Sequence, residues 1–179
     1  MHATAGHRAL AAAVAAMMLA GCGAPQITGG QARLPEDDGS PGYLDRISAL
    51  TDVSENDAMR GFLMILDGEE AAEDFQQRIE ALKQRGIVGA NWSFDADRPL
   101  TKGRLAYMAY QASGVGGGVI LTLTGPSQRY CLRELQYQGI MAQGLPNTPV
   151  TGMEFVAVLT RTDTYRRTGE LPAVISGRQ

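Results

Sequence analysis

Two stretches, "RPLTKGRLAYM" at Arg98–Met108 and "TPVTGMEFVAVL" at Thr148–Leu159, share one outline: proline, an apolar residue, threonine, then apolar residues at helical spacing. Thr101 and Thr151 suit N-caps, because their side-chain oxygens can accept from backbone N–H groups of a first helical turn. Glu154, three residues after Thr151, reads as the return half of a capping box. Upstream the outline continues in "FQQRIEALKQRGIV" at Phe75–Val88 and "YCLRELQYQGIM" at Tyr130–Met141. Ile79 and Leu82 precede Gly86 by seven and four residues, as Leu132 and Leu135 precede Gly139, which makes one apolar helix stripe in each. The glycine then stops the helix, since it can take the left-handed conformation that closes the carbonyl end. Each unit is therefore helix, Gly-Ile stop, loop, Thr cap, helix.

The spacing makes this a repeat. Gly86 to Gly139 is 53 residues and Thr101 to Thr151 is 50. A third copy of the capped half stands earlier, in "VSENDAMRGFLMIL" at Val53–Leu66, where Ser54 takes the cap position and Asp57 the box position, 47 residues before Thr101. That first copy lacks a clear leading helix. A period of about 50 residues with two helices in each copy predicts a mainly α-helical repeat domain. Between the second and third copies, "SGVGGGVILTLTGPS" carries Gly114, Gly116, Gly117 and Gly118, yet no Gly-Lys-Ser/Thr follows to make a phosphate loop. The β-branched, alternating "VILTLT" fits a short extended segment near 118–124, with Pro126-Ser127 opening the next helix.

The N-terminus is a different kind of sequence. Met1–Ala20 carries Arg8 and an apolar run from Ala9 to Ala20, which reads as a secretory signal and is too short to span a bilayer. Leu19-Ala20-Gly21-Cys22 resembles the lipobox of bacterial lipoproteins. The resemblance implies cleavage before Cys22, lipidation of that cysteine by acyl chains such as palmitate, and a place in the cell envelope with the membrane as partner. Gly23 is not the aspartate that marks inner-membrane retention in that family, so the outer membrane is the expected address, on its periplasmic or surface face. Residues 1–21 are then the signal and 22–42 the lipidated cysteine and a Gly/Pro-rich tether that spans about 25 Å root-mean-square. Residues 43–168 form the helical domain, and 169–179 an exposed tail.

Removing the signal takes His2 and His7, the only histidines. Triads that depend on histidine are then excluded, and so is the commonest metal ligand. Cys131 becomes the one thiol besides the lipidated residue, without a disulfide partner or a zinc set, and its apolar helical setting reads as a small buried side chain. With Arg8 gone, 15 of the 16 basic residues face 19 acidic ones, a net charge of −4 with no basic block, which argues against nucleic acid as a partner.

The units as a whole, Val53 to Arg161, resemble the S-layer homology (SLH) domain, a repeat of this length with a Gly-Ile turn and a second helix introduced by a Thr-Arg-Ala-Glu motif. Gly139-Ile140, Gly144, Pro149-Val150-Thr151, Glu154-Phe155 and Val158-Leu159 carry the likeness best. The resemblance implies three units in a pseudo-threefold prism, with cell-wall polysaccharide held in grooves between them. The motif arginine corresponds to Lys102 and Gly152, and its glutamate is kept as Glu154, with Arg104 at that position in the middle unit. Lys102 and Arg104 are expected on an exposed first turn, and Trp92 either plugs the core or stacks on a sugar face. Trp92, Lys102, Arg104 and Glu154 are thus the candidate polymer-binding residues. The expected role is non-catalytic, without a cofactor or metal: an envelope lipoprotein that binds wall polymer or anchors to the envelope. A protein-interaction or assembly role without glycan binding is the alternative. A hydrolase working through carboxylates such as Asp95 and Glu154 is less favoured, because Asp95 and Asp97 suit turn formers.

Overall fold

The computed structural model describes residues 42–117 and 119–171, without the side chains of Val119 and Ile120; the signal, Cys22, the tether and most of the tail lie outside them. Three serine and threonine caps organise what is described. Ser54 Oγ accepts from Asp57 N at 3.1 Å, and Asp57 Oδ2 accepts in return from Ser54 N at 3.3 Å, a complete capping box that opens α2 (Glu55–Asp67). Thr101 opens α4 (Lys102–Ser113) and Thr151 opens α7 (Gly152–Thr168), accepting from Arg104 N at 3.4 Å and Glu154 N at 3.3 Å. Each helix is preceded by a leading helix: α1 (Tyr43–Ser48), α3 (Phe75–Gln84) and α6 (Gln128–Tyr137). The first unit therefore has a leading helix after all, cut to six residues where the others have ten. Gly86 and Gly139 stop α3 and α6 at φ +69° and +76°, a conformation that costs glycine nothing and other residues much.

The segment expected to be extended near 118–124 is helical: α5 (Val119–Thr124). Among the described residues there is no strand for it to pair with, so an extended chain would leave its backbone groups unpaired, whereas a helical turn bonds them locally. Gly125 closes the turn, its N–H donating to Leu121 O at 3.0 Å. Leu121 is buried and Leu123 exposed.

The three units are joined in a ring. The residue before each cap is fully or almost fully buried, and the three exchange backbone hydrogen bonds in rotation: Val53 N donates to Val150 O at 2.9 Å, Val150 N to Leu100 O at 3.0 Å, and Leu100 N to Val53 O at 2.7 Å. One step further out the rotation repeats. Glu55 N donates to Arg98 O, Lys102 N to Thr148 O and Gly152 N to Leu50 O, each at 2.9 Å, so the loop of each unit satisfies the helix start of another. The leading helices follow the same rotation, α3 against α2, α6 against α4 and α1 against α7. Inside lies one core, with Phe62 and Phe155 edge to face at 6.4 Å and Leu82, Leu105, Leu135 and Leu159 buried around them.

Candidate functional site

The seams between units hold the residues singled out in the sequence. Seam 1/2 joins the first helical position of α2 to the third of α4. Glu55 is 2 % exposed and accepts from Arg104 Nη1; Arg98 Nη1 stands 3.6 Å away, and Asp95 N donates to Glu55 Oε2 at 3.1 Å. A carboxylate this deep is tolerated because two guanidinium groups and a backbone N–H replace its water. Arg104 also donates to Ser93 O at 2.9 Å and lies 4.8 Å over the Trp92 ring. Burial lowers the pKa of Arg104, and the Glu55 charge opposes that shift.

Seam 2/3 repeats the arrangement with the signs reversed. Lys102, at the first position of α4, meets Glu154, at the third of α7, with Nζ and Oε1 2.7 Å apart. Lys102 is 8 % exposed, its Nζ is 3.4 Å from Gln143 O, and its stem lies so close to Gly144 that a Cβ there would stand 2.8 Å from it. Glu154 therefore does not complete the expected capping box: Thr151 makes its half, but the carboxylate is turned to Lys102. The expected exposed first turn is corrected in the same way. Lys102 and Arg104 are largely buried because each answers an opposite charge from the neighbouring unit.

Seam 3/1 has no such pair. Gly152 takes the first position of α7, and a Cβ on it would stand 1.8 Å from Ile47 O, so the backbone of α1 fills the space where the other seams hold a side chain. Asp57, the third residue of α2, is held by its own capping box, and Tyr43 Oη donates to Asp57 O at 2.5 Å.

Trp92 plugs the loop of unit 2. It is half-buried, 5.1 Å from the Tyr107 ring and 6.3 Å from Phe94, and a Cβ on Gly89 would stand 2.3 Å from its Nε1. The structure brings Trp92 and Arg104 together and sets Lys102 and Glu154 in the other seam. Asp95 belongs to seam 1/2, its Oδ1 accepting from Asp97 N at 3.1 Å in the turn expected of these residues. Cys131 is fully buried, and burial pushes its thiol up to about 12. Glu55 is the residue that the sequence reading passed over. Its signal lay in the alignment of the units: first and third helical positions read Glu and Asp, Lys and Arg, Gly and Glu, and the signs match only when each unit is paired with the next.

Among the described residues no group of three or more metal-ligating side chains is found, and no helix is long and apolar enough to cross a membrane. Protein-family models, curated proteins and solved structures were compared with the chain, and none matches.

Proposed function

We propose that this chain is a lipid-anchored protein of the cell envelope whose SLH-like helical domain is non-catalytic and works by contact with another envelope protein. The observation that carries this reading is the internal use of the motif charges. Arg104 is committed to Glu55 and Trp92, and Lys102 to Glu154, in separate seams, so these side chains do not line one groove for a polymer. The apolar exposure fits a protein partner better: Leu44 in α1, Leu50 in the loop after it and Met153 in α7 are exposed on the segments that meet at seam 3/1, and Leu145 is 74 % exposed in the loop before α7. Cys22 supplies the anchor in this reading, through the lipobox resemblance.

Wall polymer is the second reading, and a specific feature favours it. Lys83 Nζ lies 5.2 Å over the Phe94 ring, and Arg98 is half-buried beside Glu55, so cations and an aromatic edge share the rim of seam 1/2. Sedimentation of the full chain with purified sacculi separates the two. The protein-contact reading predicts no saturable binding, whereas saturable binding that is weakened in a Lys83→Gln, Arg98→Gln variant with the wild-type thermal midpoint would overturn it. Incorporation of labelled palmitate that is abolished by Cys22→Ser tests the anchor separately.

A further inference from the structure

We infer that the charges at the first and third positions of α2, α4 and α7 form a pairing code, which fixes the order of the units around the ring and rejects wrong pairings with a second copy of this chain. The inference is independent of what the domain binds. Two seams use the same geometry, in which the first residue of one unit's capped helix meets the third residue of the next unit's: Glu55 meets Arg104 and Lys102 meets Glu154. In seam 3/1 Gly152 has no side chain to offer, and Ile47 O stands where its Cβ would be.

The backbone ring alone does not discriminate between units, because any buried apolar residue followed by a capped helix can exchange the same hydrogen bonds. The side chains do. A unit 2 set against unit 2 of another copy would bring Lys102 to Arg104, two cations. Unit 1 against unit 1 would bring Glu55 to Asp57, and unit 1 against unit 3 would bring Glu55 to Glu154, in both cases two anions. Like charges meeting at a site from which water is largely excluded repel each other, so these encounters reopen. Of the wrong pairings with charge at both positions, only Lys102 with Asp57 is attractive, and Asp57 is already held by Ser54 N and Ser54 Oγ. Unit 3 carries no side chain at its first position, and its seam is selected by fit: Ile47 O fills the space that Gly152 leaves. Coiled coils choose partners by the same combination of attraction and repulsion.

The code separates from simple stabilisation in one experiment. In the full chain, Lys102→Glu/Glu154→Lys preserves an opposite-charge pair in seam 2/3 and leaves Glu55–Arg104 untouched. It also makes two wrong pairings attractive, because the substituted position 102 would suit Arg104 of a second copy and the substituted position 154 would suit Glu55. Wild type, this variant and the neutral Lys102→Gln/Glu154→Gln are refolded from denaturant over a range of protein concentrations, and the species are separated by size. The code predicts that the misassembled fraction rises in the order wild type, neutral, reversed, by about tenfold from first to last, the factor that accompanies roughly 1.4 kcal/mol of lost discrimination. If the reversed variant refolds to the same distribution of species as wild type, the code is refuted. Should the reversed variant fail to fold, the neutral one decides: misassembly above wild type supports the code, and equality with wild type overturns it. Thermal midpoints of all three guard against the simpler account, in which misassembly follows stability and is blind to sign.

Discussion

Gly152 shows how much one side chain can decide. The carbonyl of Ile47 lies 1.8 Å from where its Cβ would be, so Gly152→Ala forces α1 and α7 apart rather than compressing a flexible neighbour. The expected loss is at the upper end of the roughly 1–3 kcal/mol typical of overpacking, read as a lower denaturation midpoint together with faster amide exchange in α1. Arg104→Ala strands Glu55 with Arg98 3.6 Å away as its remaining cation; breaking a buried pair in this way costs about 3–5 kcal/mol, and chemical denaturation should place it well above Arg85→Ala, whose pair with Asp67 is exposed. Cys131 gives a pH dependence of definite sign. Its thiol ionises near 9.0 when unfolded and is held neutral to about 12 when folded, so its contribution is complete below about pH 9 and is lost as the pH climbs towards about 12. Burial raises the pKa values of Tyr43, Tyr107 and Tyr110 as well, and these add to the loss at higher pH. Denaturation midpoints of wild type should fall on passing pH 9, while those of Cys131→Ala should begin to fall only as the tyrosines ionise.

At the scale of elements, the capped helices and their glycine stops were legible because each is written in neighbouring residues: Ser54 with Asp57, Thr101 after Pro99-Leu100, Ser127 after Pro126, and Gly86 and Gly139 before isoleucine. Replacing Thr101 or Thr151 by alanine should cost about 1 kcal/mol each, and Ser54→Ala more than either, since its box satisfies two backbone donors; equilibrium unfolding of the three variants tests that order. Two elements were not legible. The helix of α1 follows Pro41-Gly42 and buries Ile47 alone, too little periodicity to register. The helix of α5 is written in residues that favour strands, and the lack of a pairing partner overrode that preference.

For the molecule as a whole, the repeat predicted three similar units, but not the direction in which they close, and the direction determines who meets whom. Without it, Lys102 and Arg104 look like free cations on a first turn, and Glu154 looks like a cap. With it, each is answered by a neighbouring unit, and Glu55 emerges as the buried partner. Burial and pairing are properties of the closed ring, which is why the candidate site was only partly readable from spacing. The ring also couples its three central amides in a way that no single helix does, because releasing any one unit breaks two of the three bonds. The most direct test is amide hydrogen exchange at Val53, Leu100 and Val150. A closed ring predicts that all three exchange at one common rate, among the slowest in the domain. Exchange of Val53 much faster than that of Leu100 and Val150 would mean that seam 3/1 stands open, and would contradict the three-unit ring.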